Sequence, residues 1–260
     1  MKVTVVDDSI AEFVHFIATK KRFWNDWQFA HIDIDKDESR LNIDELEQFL
    51  GFHIKTQNAW LMRLPPNGLV LFTQSDSGLE FSKLERAINE SFSGLGIRLL
   101  QREMNEASVE QLTKILDAYV SRDNDPAQIA FLRMKRMGNT ILVVDDDPMV
   151  LKQMEKILSG FGNVVTIQDI KMLKESYVQY APNMMFLDIH LGAIKGNQIL
   201  RKLKKDIDPN AFVVMISSDT QKEVIVEIKQ SGADGFVMKP FNRNQIFQYV
   251  MKAPTILTKA

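Results

Sequence analysis

The chain has no cysteine. That absence excludes disulfides, thiolate nucleophiles and cysteine-ligated metals together, so any metal here is held by oxygen or histidine. Histidine is also scarce, and His15, His31, His53 and His190 show no metal-ligand spacing. No apolar run approaches the roughly 18 residues that a membrane span requires, so no membrane partner is expected. The opening residues, Met-Lys-Val-Thr-Val-Val-Asp-Asp, put acid where a secretory signal needs an apolar core, and the expected location is cytoplasmic. Strong charge of either sign is missing too: the net charge is −2, with the first 138 residues acidic and the rest slightly basic. Nothing offers a basic domain to a phosphate backbone, so no nucleic-acid partner is expected.

What remains is an ordinary globular composition, 45% hydrophobic and 25% charged, in 260 residues. That length suits two domains. In the second half, short apolar runs at 140–144, 163–167, 184–187, 212–216 and 235–238 alternate with amphipathic stretches at 149–158, 170–180, 197–205, 221–231 and 244–250. Strands this short and apolar, without polar alternation, are expected when helices cover both faces. The pattern predicts a doubly wound parallel sheet of five βα units, the flavodoxin-like (βα)5 arrangement.

Ligands of such sheets sit beyond the carboxyl ends of the strands. The first strand ends in Asp145-Asp146-Asp147, the third in Asp188, the fourth in Ser217-Ser218 and the fifth in Lys239-Pro240. Carboxylates gathered at one rim repel each other, and a divalent cation is the simplest relief. Oxygen-only ligands favour Mg²⁺. A carboxylate nucleophile beside Mg²⁺, with a lysine and a hydroxyl for the transferred oxygens, suits phosphoryl transfer to Asp.

The segments ILVVDDDP, MMFLDIHLG, VVMISSD and ADGFVMKPF resemble the receiver domains of two-component response regulators, in the same order and over about 115 residues. The resemblance implies that Asp145 and Asp146 are the acidic pair of an Mg²⁺ site. It makes Asp188 both ligand and phosphoacceptor, with the backbone carbonyl of His190 completing the protein's share of the coordination. Ser217 is then expected to hydrogen-bond the phosphoryl group, Lys239 to pair with it, and Phe236 to occupy the aromatic switch position. The loop after Asp188 departs from the family, reading His190-Leu191-Gly192-Ala193-Ile194-Lys195-Gly196 where a Met-Pro pair usually precedes the glycine. The implied phosphoryl donor is a histidine kinase or phosphotransfer protein.

In the first half, strands are predicted at 3–6, 29–34, 59–63, 69–72 and 97–100, and helices at 10–23, 43–52 and 81–92. This is a second α/β unit. Pro65-Pro66-Asn67-Gly68 predicts a β-hairpin between its flanking strands. Two resemblances compete. KVTVVDDS, with Asp7 and Asp8, is similar to a receiver opening, but the strand at 69–72 ends in Phe72-Thr73-Gln74 without an Asp, and no strand ending in Lys-Pro follows. FAHIDID, with Asp33 and Asp35, followed by a helix and RLPPNGLVLF, is similar to the strand and hairpin of GGDEF-type cyclase domains. There the glycines and acids of a nucleotide site are replaced by prolines, which lack donors and fill space. No cyclase activity is expected.

Residues 107–120 set Val109, Leu112, Ile115, Leu116 and Tyr119 on one face, suited to docking on their own domain or to a homodimer seam. The loop SRDNDP and a short helix at 128–137, carrying Arg133, Lys135 and Arg136, lead into the receiver-like half. The expected organisation is an α/β domain at 1–105, a helical linker at 106–138 and a receiver domain at 139–255. The expected function is a response regulator phosphorylated on Asp188, signalling to an unnamed downstream protein through a non-catalytic N-terminal domain. The alternative is a receiver-controlled enzyme that binds or converts a nucleotide.

Overall fold

A computed structural model describes residues 3–6, 10–34, 43–54, 59–64, 68–74, 80–93, 97–117, 126–192, 194–219 and 221–257. The chain divides into two compact units, Met1–Phe13 with Phe23–Val120, and Val14–Arg22 with Ser121–Ala260.

In the first unit, β1 (Val3–Val6) is followed by the start of α1 (Ile10–Thr19). After a 3-10 helix, Lys21–Asp26, come β2 (Trp27–Ile34), α2 (Ile43–His53), β3 (Ala59–Leu64), β4 (Gly68–Gln74), α3 (Phe81–Ser91), β5 (Ile97–Glu103) and α4 (Glu106–Asp117). The sheet order is β1-β3-β4-β2-β5. Only β1 and β3 run parallel; β3–β4, β4–β2 and β2–β5 are antiparallel. From β2 to β5 this is the split βαβ, ferredoxin-like arrangement, with the hairpin expected from the Pro-Pro-Asn-Gly turn. A second receiver-like repeat needs an all-parallel sheet, so that of the two competing resemblances does not fit this unit.

Register explains the apolar density of these strands. Ala30 and Ile32 of β2 lie opposite Leu71 and Leu69 of β4, and with Leu61 they face Leu46, Leu50, Leu84 and Ile88 of α2 and α3. On the other face, Phe72 stacks on Trp27 at 4.8 Å and meets Phe13 edge-on at 6.3 Å. Both faces are therefore covered. Side chains hold three main-chain groups on the outer edge of β5: Leu99 N–H donates to Glu85 Oε1 (3.0 Å), Asn89 Nδ2 donates to Ile97 O (2.9 Å) and Arg102 donates to Gln101 O (3.2 Å). In α4, Val109, Leu112 and Leu116 form a buried stripe; Tyr119 lies outside the described residues.

The second unit contains α5 (Pro126–Lys135), β6 (Thr140–Val144), α6 (Pro148–Leu158), β7 (Asn163–Ile167), a 3-10 turn at Ile170–Met172, α7 (Leu173–Tyr180) and β8 (Met184–Asp188). A small hairpin, β9 (His190–Leu191) and β10 (Ile194–Lys195), precedes α8 (Gly196–Asp206), β11 (Val213–Ser217), α9 (Lys222–Gln230), β12 (Gly235–Met238) and α10 (Arg243–Lys252). The main sheet is parallel throughout, in the order β12-β11-β8-β6-β7. Side chains alternate between two cores: Leu142, Met185 and Met215 enter one, Ile141, Phe186 and Val214 the other. This is the doubly wound, flavodoxin-like fold.

Helix α5, expected as a linker, is built into this unit. Ile129 joins the core that contains Tyr177 and Leu203. Arg133, only 3% exposed, donates to Pro182 O (2.7 Å), Tyr177 Oη (2.9 Å) and Asp208 Oδ2 (2.6 Å). Burial works against its charge, and Tyr177 and Asp208 outweigh it, leaving the guanidinium more basic than usual. Arg136 donates to Tyr180 O, Ala181 O and Asn183 Oδ1. Residues 14–22 belong to the same unit: Lys21 Nζ donates to the last carbonyls of α5, Met134 O and Arg136 O, a cationic cap on a helix C-terminus.

Candidate functional site

The strand order reverses between β6 and β8, which neighbour each other at the centre of the sheet. Such a switch point opens a crevice at the strand ends. Asp145 follows β6 and Asp188 ends β8, so the topology alone puts two carboxylates beside each other. Both are buried, at 0% and 3% exposure, while Asp146 is exposed. Each of Asp145, Asp146 and Asp188 offers a carboxylate oxygen, and the three lie within 4.8 Å of one another.

Lys239, just beyond β12, reaches this cluster. Its Nζ is 2.7 Å from Asp145 Oδ2 and 3.0 Å from Asp188 Oδ1. Its backbone N–H donates to Ser217 O (2.7 Å), which fixes the two strand ends together. Burial raises the proton affinity of Asp188, and Lys239 opposes that rise. On Lys239 itself burial favours the neutral amine, but the hydrogen bonds to Asp145 and Asp188 prevail and hold it above the ordinary lysine range.

Main-chain donors orient the carboxylates. Asp188 Oδ2 accepts from His190 N–H (3.1 Å) and Asp145 Oδ1 from Asp147 N–H (3.0 Å). Asp147 caps α6, accepting from Met149 N–H (2.8 Å). The Asp run at the end of β6 is thus divided between a buried carboxylate, an exposed one and a helix cap. Ser217 is fully buried at the end of β11, and its Oγ accepts from Asp219 N–H (2.9 Å). The His190 side chain is exposed, at the start of the β9–β10 hairpin. Phe236 is half-buried in β12 and packs against the core shared by Leu187 and Met215.

Three contributors do not stand out as site residues in the sequence. A Cβ on Gly196 would lie 2.2 Å from Asp188 O, so only glycine lets α8 start this close to the end of β8. Tyr249 of α10 lies against Gly235, where a Cβ would come within 2.2 Å of its ring, and its hydroxyl donates to Phe236 O (2.9 Å). Asp219 positions Ser217. A glycine at a helix start is the visible signal for the first; Tyr249 and Asp219 have none.

In the first unit, Asp33 is a β2 residue opposite Arg98 of β5. Asp7, Asp8, Asp35, Pro65, Pro66 and Asn67 lie outside the described residues. Among the described residues, the cluster at Asp145, Asp146 and Asp188 is the one group of acids close enough to share a cation. No described helix is long and apolar enough to cross a membrane.

A family model for the response regulator receiver domain matches residues 141–251. The chain is 28% identical over 118 residues to the chemotaxis protein CheY of Bacillus subtilis, covering 45% of this chain and 98% of that protein. It is 32% identical over 114 residues to the DNA-binding response regulator MtrA of Mycolicibacterium smegmatis, covering 44% of this chain and 49% of that protein, about half its length. Among solved structures, it is similar to the response regulator DrrB of Thermotoga maritima, with 28% identity, 43% and 50% coverage and a TM-score of 0.40.

Proposed function

We propose that the chain, whose residues 141–251 are a response regulator receiver domain, works as a phosphorylation switch in which Asp188 accepts the phosphoryl group. The observation that carries this reading is the single ammonium of Lys239 held between the buried carboxylates of Asp145 and Asp188, at 2.7 and 3.0 Å.

The donor set fits a hard divalent cation: three carboxylate oxygens, two of them from buried residues, and no nitrogen or sulfur ligand among them. Asp145, Asp146 and Asp188 would hold Mg²⁺, with the backbone carbonyl of His190. Bound there, Mg²⁺ supplies neutralisation of the negative charge on the incoming phosphoryl oxygens. Lys239, paired with Asp188, favours its ionised, nucleophilic form. A carboxylate oxygen of Asp188 bonds to phosphorus as the donor's P–N or P–O bond breaks, its electron pair leaving with the donor. Lys239 then pairs with a transferred oxygen, and Ser217 gives up Asp219 N–H to donate its own hydroxyl. Phe236, packed beside Met215, follows the movement of β11. That biases the surface around β11, α9, β12 and α10, a shift between existing states.

The phosphoryl donor is a histidine kinase or phosphotransfer protein. The output is protein contact by the N-terminal α/β unit, without catalytic activity, and the receiver-containing unit takes in α5 as well. MtrA is named as DNA-binding, but this chain aligns with only about half of it, and the acidic first half argues against a nucleic-acid partner.

The test is intact mass and particle size after incubation with Mg²⁺ and acetyl phosphate, for the wild type and Asp188→Ala. A phosphoryl adduct on the wild type alone is the expected result, and a change in size identifies dimerisation as the output. An adduct on both proteins, or on neither, overturns the assignment.

A further inference from the structure

Between the start of α7 and the length of α8 runs a groove of about 350 Å³ that the phosphorylation site does not use. Its walls are aliphatic: Ile170, Ile199 and Ile207 are half-buried there, above the buried Leu173 and Leu203. Its rim is basic. Lys171 and Lys174 stand on one side and Lys202 on the other, all exposed, against the single acid Asp206. Lys171 and Lys174 also border the adjoining depression along α7, with Glu175 and Val178.

None of these three lysines has an ion pair among the described residues, which they share with other exposed lysines such as Lys152, Lys156 and Lys205; what sets them apart is that they gather around one apolar groove. Elsewhere Lys83, Lys114, Lys204 and Lys239 each meet a carboxylate. On α8, Lys204 is bound to Asp234, while Lys202, two positions away, borders the groove.

We propose that the α7–α8 groove docks an acidic amphipathic helix of a partner protein. A helix presents apolar side chains at every third or fourth position, which suits a narrow aliphatic trench between two helices. Glutamates or aspartates flanking that stripe meet Lys171, Lys174 and Lys202. Other anionic partners fit less well. The walls hold no aromatic ring on which a base could stack. None of the phosphorylation-site residues lines the groove, so docking is read in the unphosphorylated protein.

The probe is a fluorescein-labelled helical peptide with leucine at i, i+3, i+4 and i+7 and glutamate elsewhere, titrated with the full chain and followed by anisotropy. Its lysine counterpart, phosphatidylglycerol vesicles and a DNA duplex are run beside it. The acidic peptide is expected to bind, more weakly as salt rises, and to protect amides of α7 and α8 from hydrogen exchange. The combined variant Lys171→Glu, Lys174→Glu and Lys202→Glu, all at exposed positions, is expected to weaken it by about tenfold or more while still accepting phosphate from acetyl phosphate. Equal binding of the lysine peptide, no effect of the triple variant, protection elsewhere, or vesicles or DNA bound in place of the peptide overturns the proposal.

Discussion

Arg133 and Asp208, seventy-five positions apart, form a 2.6 Å ion pair in which both side chains are almost wholly buried. The pair joins α5 to the segment after α8, so the helix is part of the second unit's interior. Removing one partner leaves the other charged and dry. Arg133→Ala is expected to destabilise the protein by about 3–5 kcal/mol. Replacing both residues by leucine is expected to recover most of that loss. Urea denaturation of the two variants checks this, and equal losses in both would show that the contribution of Arg133 is packing alone.

His15 lies in the same unit, and burial, followed by the charge of Arg133, lowers its pKa to about 4. The folded protein therefore holds it neutral where the unfolded chain, near 6.5, would protonate it. Its contribution to stability is complete above pH 6.5 and is lost as the pH falls toward about 4. The loss reaches roughly 3 kcal/mol at its largest. His15→Gln is expected to flatten the dependence over that window, measured as the difference between wild-type and variant unfolding free energies at several pH values.

A cation that binds the acidic rim of the folded protein stabilises it by mass action. Mg²⁺ at about a hundred times its dissociation constant is expected to add about 2.7 kcal/mol. Thermal melts with Mg²⁺ and with a chelator read this as a rise in Tm. Asp145→Asn together with Asp146→Asn is expected to abolish the rise, and a rise that persists would move the cation elsewhere.

Gly196→Ala forces a methyl group against Asp188 O. The start of α8 must shift away, taking with it the loop whose His190 N–H orients Asp188. A stability loss of about 1–3 kcal/mol and a slower gain of phosphate from acetyl phosphate are expected. Phosphorylation at the wild-type rate would show that the loop and the carboxylate move independently.

Much of the second unit is legible in its amino-acid pattern alone. Its strands are buried on both faces, so each appears as a short unbroken apolar run, and the residues just past those runs, Asp145, Asp188, Ser217 and Lys239, have to share one rim. The β9–β10 hairpin is not legible because strands of two residues carry no periodicity. Arg133 and Arg136 look like surface charge on a linker, since their partners, Asp208 and Asn183, are distant in sequence. In the first unit the hairpin turn marks the sheet as not wholly parallel. The polar second half of β5, through Glu103, carries no strand signal because its side chains are exposed on both faces.

That strand has a further consequence. Unpaired edges are where sheets of separate molecules join. With Glu85, Asn89 and Arg102 holding main-chain groups of β5, that edge of the first unit's sheet is partly blocked for strand-to-strand joining, and the edge of β1 is the other one. Copies that met there would use the same edge on both sides, giving a closed pair related by a two-fold axis. Growth into a fibre needs a second open edge, and the carboxylate and amide of α3 work against it at β5.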